Sequence, residues 1–158
     1  MKKHLKYLFL LGLLGLFRTS VVAQILPTRI LFVLDGSGSM VAKMGDNKRI
    51  DIAKRVLSKL VDSLGTKPNV EVALRVYGHT QPVLKHDCGD TKLEVPFAED
   101  NIDAIKESLL AIDPKGYTLI ARSLLEAAND FPDDKARNII ILITDGMEEC
   151  DGDPCAIS

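Results

Sequence analysis

The chain has 158 residues, with 22 acidic and 20 basic side chains, and hydrophobic residues make up 46% of it. This length fits one domain with a core of ordinary size, and the composition is that of a globular protein. A formal net charge of −2 provides no excess of basic residues for binding phosphates, so we expect no nucleic-acid partner.

Residues 1–23 have the form of an export signal. Lysines at the start are followed by an apolar stretch over residues 7–17, and small residues at 21–23 allow cleavage before Gln24. The apolar stretch is shorter than the roughly 20 residues that cross a bilayer. We therefore expect a mature chain of residues 24–158 without a membrane span, in the periplasm, on the outer surface or secreted. An uncleaved membrane anchor is the alternative.

The first half of the chain predicts a strand, a helix and two further strands. Residues 30–34 form an apolar run that ends at Asp35, and Asp46-Asn47 is the expected cap of a helix that ends at Gly65. The apolar face of this helix carries Ile50, Ala53, Leu57, Leu60, Val61 and Leu64. Residues 70–77 alternate as a strand does, and residues 92–97 do so more weakly. Pro96 confines that last strand to an edge of the sheet.

The second half predicts two helices and a strand. Asp100 is the expected cap of a helix, and its core face carries Ile102, Ile105, Leu109 and Ile112. Thr118 opens the next helix, and its apolar residues are Ile120, Leu124, Ala127, Ala128 and Phe131. Residues 138–144 are apolar without alternation, which is typical of a parallel strand covered on both faces. The alternation predicts a Rossmann-like α/β fold with a mostly parallel sheet, one antiparallel edge strand and helices on both faces.

The loop after the first strand predicts a metal site. Its two glycines allow a sharp turn, so the Asp35 carboxylate and the Ser37 and Ser39 hydroxyls can converge on one point. Hard oxygen ligands on a tight loop suit Mg²⁺. Asp145 also ends a strand before a glycine, so we expect it at the same sheet edge. The alternative is a simple Gly/Ser turn, whereas the spacing fits neither a nucleophile elbow nor a phosphate-binding loop.

An oxidising compartment outside the cytoplasm would allow disulfides among the three cysteines. Cys150 and Cys155 are nearest in sequence and enclose a turn-rich segment. Cys88 and Cys150 are the rival pair, because both are expected on loops at the same sheet edge. The sequence leaves this choice open.

Three separated pieces of the chain resemble the von Willebrand factor type A (vWA) domain. They are Asp35-Gly36-Ser37-Gly38-Ser39, Gly116-Tyr117-Thr118 and Thr144-Asp145-Gly146. In that family these pieces build the metal-ion-dependent adhesion site. The resemblance implies that Ser37, Ser39 and Thr118 ligate the metal through hydroxyls, while Asp35 and Asp145 act mostly through waters and hydrogen bonds to the serines. The expected ion is Mg²⁺, with Ca²⁺ or Mn²⁺ as alternatives.

The same resemblance implies a non-enzymatic module whose cation accepts an acidic side chain from a protein partner. A scaffold whose metal only braces the loops is one alternative. A metal-dependent phosphoester hydrolase is another, disfavoured because such sites use carboxylates as their main direct ligands. His79 is the candidate base near the site edge, and we expect a structural hydrogen bond for it instead.

A group of exported bacterial vWA proteins resembles the chain more closely, over residues 28–158. The shared features include the strand end Arg75-Val76-Tyr77-Gly78-His79 and the tail Gly152-Asp153-Pro154-Cys155. A full vWA domain continues with two more strands after residues 139–143. We therefore expect an incomplete domain, either a fragment of a longer protein or one completed by a strand from another chain.

Overall fold

The computed structural model describes residues 26–98 and 100–157, so the predicted export signal lies outside the described residues. Within these ranges no helix has both the length and the apolar character needed to cross a bilayer.

Within the described residues, the main sheet has four strands. They are β1 (Thr28–Asp35), β4 (Val70–Tyr77), β5 (Thr91–Ala98) and β6 (Arg137–Ile143). Their order is β5-β4-β1-β6, with β1 parallel to both β4 and β6, and β5 antiparallel at the edge. The short strands β2 (Lys43–Met44) and β3 (Asn47–Lys48) form a separate hairpin. This arrangement confirms the predicted α/β fold and the edge position of the strand that contains Pro96.

Helices cover both faces of the sheet. They are α1 (Arg49–Gly65), α2 (Ile102–Ala111) and α3 (Ile120–Asn129). α1 and α2 pack on the face that carries Phe32, and α3 packs on the opposite face, which carries Leu31. Both of these side chains are fully buried. Each such burial contributes about 1.5–3 kcal/mol, so β1 anchors two cores at once.

The predicted helix starts were wrong by a few residues. Gly45 has a left-handed backbone (φ 65°), so the chain turns at Asp46 into the β2–β3 hairpin, and α1 begins only after Lys48. Asp100 is itself left-handed (φ 57°), and Asn101 takes the N-cap position of α2. Thr118 precedes α3, which begins at Ile120. At Asp46 and Asp100 a local turn uses the residue that was expected to cap a helix.

Some predicted core positions also differ. Leu60 of α1 is 39% exposed, and Ala128 of α3 lies on the exposed side. β6 is half-buried rather than fully buried, because its outer edge has no partner among the described strands. Its isoleucines and Leu142 still pack against the cores on both faces of the sheet, as predicted. β4 is largely buried, because it lies between β1 and β5 and beneath the helices.

Candidate metal centre

Three separated segments of the chain meet at the carboxyl edge of the sheet. Asp35 is the last residue of β1, and Thr144 follows β6 directly. Thr144 Oγ1 donates a hydrogen bond of 2.8 Å to Asp35 Oδ2, which ties these two strand ends together. A parallel bridge between Ser37 and Gly116 brings the third segment alongside the first loop. The parallel pairing of β1 and β6 thus places their last polar side chains side by side.

The two serines are held by the two aspartates. Ser37 donates its backbone N–H to Asp35 Oδ1 at 2.8 Å, and Ser39 Oγ donates to Asp145 Oδ1 at 2.7 Å. The two serine hydroxyl oxygens lie 3.0 Å apart. The carboxylates of Asp35 and Asp145 thus fix the positions of the two serines.

Thr118 reaches the same space from the segment before α3. A Cβ built on Gly146 would lie 3.6 Å from Thr118 Oγ1 and 3.8 Å from Ser39 Oγ, so both hydroxyls border one point. Two hydrogen bonds with Glu149 fix Thr118. The Thr118 N–H donates to the Glu149 carboxylate at 2.7 Å, and the Glu149 N–H donates to the Thr118 carbonyl at 2.8 Å. The structure therefore brings Thr118 together with the two serines and two aspartates named from the sequence.

The loops of the site contact each other through their main chains. Gly78 has a left-handed backbone (φ 66°), and a Cβ there would collide with the carbonyl oxygen of Tyr117. Gly116 donates its N–H to the Gly78 carbonyl at 2.7 Å, and a Cβ on Gly116 would lie 2.7 Å from the carbonyl oxygen of Gln81. Glycine at these two positions lets the segment that carries Thr118 approach the first loop.

The site is buried at its base and open at Ser39. Asp35, Ser37 and Thr118 are at most 2% exposed, whereas Ser39 is exposed. A buried carboxylate is costly unless it is hydrogen-bonded, and the described donors to Asp35 are neutral. The hydroxyl of Tyr77 is buried and has no hydrogen-bond partner among the described residues. Burial, and then the negative charge of Asp35, raise the pKa of Tyr77 far above its usual range, so the phenol stays neutral.

The donor set fits a small, hard cation. Hydroxyl oxygens of Ser37, Ser39 and Thr118 border one space, and two aspartates accept hydrogen bonds from the serines. In the described part of the chain no three His, Cys, Asp or Glu residues cluster as metal ligands. Mg²⁺ uses oxygen ligands and keeps several waters, which matches a site with few carboxylates.

Sequence reasoning missed Arg49 and assigned no role to Thr144. Arg49 Nη1 donates to Asp145 Oδ2 at 2.5 Å, across 96 positions of the chain. No local pattern marks this arginine, because its contact depends on how the start of α1 faces the end of β6. Thr144 was part of a recognised motif, and its position immediately after a strand was the available signal for a role beside Asp35.

Two other expectations concern the loops around the site. Cys88 and Cys150 form a disulfide with a Cα–Cα distance of 5.8 Å, which decides between the two pairings. The bond links the loop after β4 to the segment after β6. His79 Nε2 lies 2.8 Å from Glu94 Oε1, a structural hydrogen bond of the expected kind.

Comparison with known proteins agrees with this geometry. Residues 30–148 match the von Willebrand factor type A domain family, and the chain belongs to it. Domains of this family commonly mediate protein interactions, and its adhesion-type members are generally non-enzymatic. The uncharacterised protein YwmD of Bacillus subtilis (strain 168) is 32% identical over 164 residues, which cover 96% of this chain and 72% of that protein.

Solved structures share the fold. The conserved hypothetical protein BatB from Bacteroides thetaiotaomicron has 27% identity and a TM-score of 0.58, covering 73% of this chain and 52% of its own. The vWF domain of the type V pili tip protein Mfa5 from Porphyromonas gingivalis has 23% identity and a TM-score of 0.58. That match covers 80% of this chain and 40% of the Mfa5 chain. The chain thus spans about half or less of these solved structures.

Proposed function

We propose that this vWA domain binds a divalent cation and, through it, an acidic group of a protein partner, without catalysing a reaction. The cation is Mg²⁺, with Ca²⁺ or Mn²⁺ as alternatives. Ser37, Ser39 and Thr118 would hold it directly, and Asp35 and Asp145 would act mainly through waters and the serines. The observation that carries the proposal is the convergence of these five side chains at one partly open space.

The physical argument concerns charge. Neutral hydroxyls do not cancel the charge of a cation, and carboxylates that act through a ligand orient it without direct neutralisation. When bound, the cation would supply an electrophilic centre that attracts a carboxylate. Ser39 lies on the open side of the site, so a partner side chain has access there.

The cellular setting is part of the same proposal. Residues 1–23 act as an export signal, and residues 24–158 form a domain that works in the periplasm, on the outer surface or in the medium. The Cys88–Cys150 disulfide supports this setting, because disulfides persist in oxidising compartments. Among the described strands β6 has one open edge, and pairing there with a strand from another chain belongs to the proposal.

Thermal unfolding with increasing Mg²⁺ tests the metal site. A ligand that binds only the folded state at one hundred times its dissociation constant stabilises that state by about 2.7 kcal/mol. We expect this gain for the purified protein and its loss in Asp35→Ala and in Ser37→Ala/Ser39→Ala. The matched control is Asp134→Ala, which removes an exposed acid before β6, at the edge of the sheet opposite the site. A Mg²⁺ response that persists unchanged in both site variants would contradict the proposal.

A further inference from the structure

Arg49 lies at the rim of the candidate metal centre with most of its donors unused. Asp145 shares its two oxygens between Ser39, which donates to Oδ1, and Arg49, which donates to Oδ2. Within residues 26–98 and 100–157 this is the only hydrogen bond of the guanidinium, although that group has five N–H donors. The Arg49 side chain remains 38% exposed.

The surroundings of Arg49 are open to an incoming molecule. Arg49 and Asp145 line a groove of about 460 Å³, together with Thr144 and the apolar side chains of Met40 and Met44. A guanidinium on the wall of such a groove can donate to a group that approaches the exposed side of the site. Its planar fork matches both oxygens of a carboxylate.

The charge balance of the site also depends on Arg49. Asp35 and Asp145 place two negative charges beside the serines, and a divalent cation would offset both of them. Glu148 and Glu149 are held instead by backbone N–H groups of Ala121 and Thr118 near the start of α3, where a helix N-terminus favours negative charge. Arg49 then adds a positive charge on the exposed side, which favours an incoming acid.

We infer that Arg49 is a specificity-determining residue that donates to the partner's carboxylate while another oxygen of that carboxylate faces the cation. The inference rests on the proposed function and deepens it, because it names the group that selects an acidic ligand. The rival role is purely structural, in which Arg49 only holds Asp145 in place. The two roles predict different effects on metal binding.

Titration followed by amide chemical shifts separates these roles. Mg²⁺ alone is added first, and acetate is then added at saturating Mg²⁺ and constant ionic strength, as the simplest monocarboxylate. We expect Arg49→Gln to weaken acetate binding about tenfold, the scale of a charge-assisted hydrogen bond. Mg²⁺ binding should stay unchanged or become tighter, because a positive charge beside the cation is removed.

Two variants serve as controls. Arg49→Lys keeps the charge without the planar fork, so it should recover part of the acetate affinity. Lys48→Gln removes an exposed charge from the neighbouring residue, so acetate binding should stay within about twofold of the unaltered protein.

The outcomes discriminate between the inference and the function on which it rests. Parallel weakening of Mg²⁺ and acetate in Arg49→Gln would show that Arg49 only positions Asp145. Unchanged acetate binding in that variant, or no acetate binding by the unaltered protein despite Mg²⁺ binding, would overturn the inference and leave the metal site standing. Absence of Mg²⁺ binding in the unaltered protein would overturn the proposed function itself.

Discussion

Two buried charged clusters in this fold are built in opposite ways. Arg75 donates to both oxygens of Asp130, at 2.6 and 2.7 Å, and reaches Thr91 at 3.1 Å. Both side chains of this ion pair are at most 10% exposed. At the carboxyl edge of the sheet, Asp35 receives only neutral donors among the described residues, and its neighbours are hydroxyl oxygens.

We call the Arg75–Asp130 pair the closed cluster and the candidate metal centre the open cluster. In the Arg75–Asp130 pair each charge faces an opposite charge in bidentate geometry, so nothing remains to be bound. In the candidate metal centre oxygen atoms outnumber positive groups, and the space between them is partly open. Charge balance rather than burial therefore distinguishes an internal ion pair from a ligand site in this molecule.

The largest expected effect comes from breaking the closed cluster. Asp130→Ala leaves the Arg75 guanidinium buried without its carboxylate, so we expect the free energy of unfolding to fall by about 3–5 kcal/mol in urea denaturation. The stabilisation by Mg²⁺ should persist, because the closed cluster does not touch the metal centre.

The double variant Arg75→Met/Asp130→Leu sharpens this result. Replacing both charges by apolar side chains removes the stranded charge, so most of the lost stability should return. Equal destabilisation in the single and double variants would show that the pair contributes to stability through packing and not through its charge balance.

A smaller effect is expected in the open cluster. Thr144→Val keeps the side-chain shape but removes the hydroxyl that donates to Asp35 Oδ2. We expect a loss of about 1.5 kcal/mol without metal, the scale of a hydrogen bond to a charged group. Thr66→Val is the matched control, because the Thr66 hydroxyl donates to a neutral carbonyl at the exposed end of α1. A loss no greater than that of the control would mean that Asp35 does not depend on Thr144.

The smallest effect concerns a third cluster, in which Glu94 accepts from His79 and Lys92. Burial raises the pKa of Glu94, but the hydrogen bonds from Lys92 and His79 outweigh it and hold the pKa below its usual value of 4.5. A lowered folded-state pKa contributes stability above the unfolded pKa and loses it as the pH falls through the folded one. We therefore expect the free energy of unfolding to decrease below about pH 4.5.

Denaturation measured at several pH values checks this expectation. Glu94→Gln should show a shallower acid-induced decrease, whereas Glu107→Gln, which removes an exposed carboxyl of α2, should follow the unaltered protein. Identical pH profiles for the Glu94 variant and the unaltered protein would rule out a contribution of Glu94 to acid sensitivity.

Much of the fold was predictable because its signals are local. The apolar run before Asp35, the periodicity of α1 and the Pro96 edge strand can each be recognised within a short window. Ser37 and Ser39 were found for the same reason, since one tight loop carries them. Asp145 was placed beside them through the general rule that parallel strands share a carboxyl edge.

The remaining features depend on contacts between distant segments. Thr118 was found only through the resemblance to a family, because no periodicity marks a threonine before a helix. The contact of Arg49 with Asp145 and the choice of Cys88 as the partner of Cys150 follow from how loops face each other after folding. The helix caps failed because Asp46 and Asp100 are equally suited to turns.

The close approach of Gly78 to Gly116 affects which substitutions the candidate metal centre can tolerate. Peptide groups rather than rotatable side chains set the spacing between the loops that contain Gly78 and Gly116. This spacing therefore does not depend on which side chains stand at the exposed rim of the candidate metal centre. Substitutions at the exposed rim should leave the spacing between these loops unchanged. Mutational tolerance should be low at the two glycines, because a Cβ there would meet main-chain atoms of the neighbouring loop.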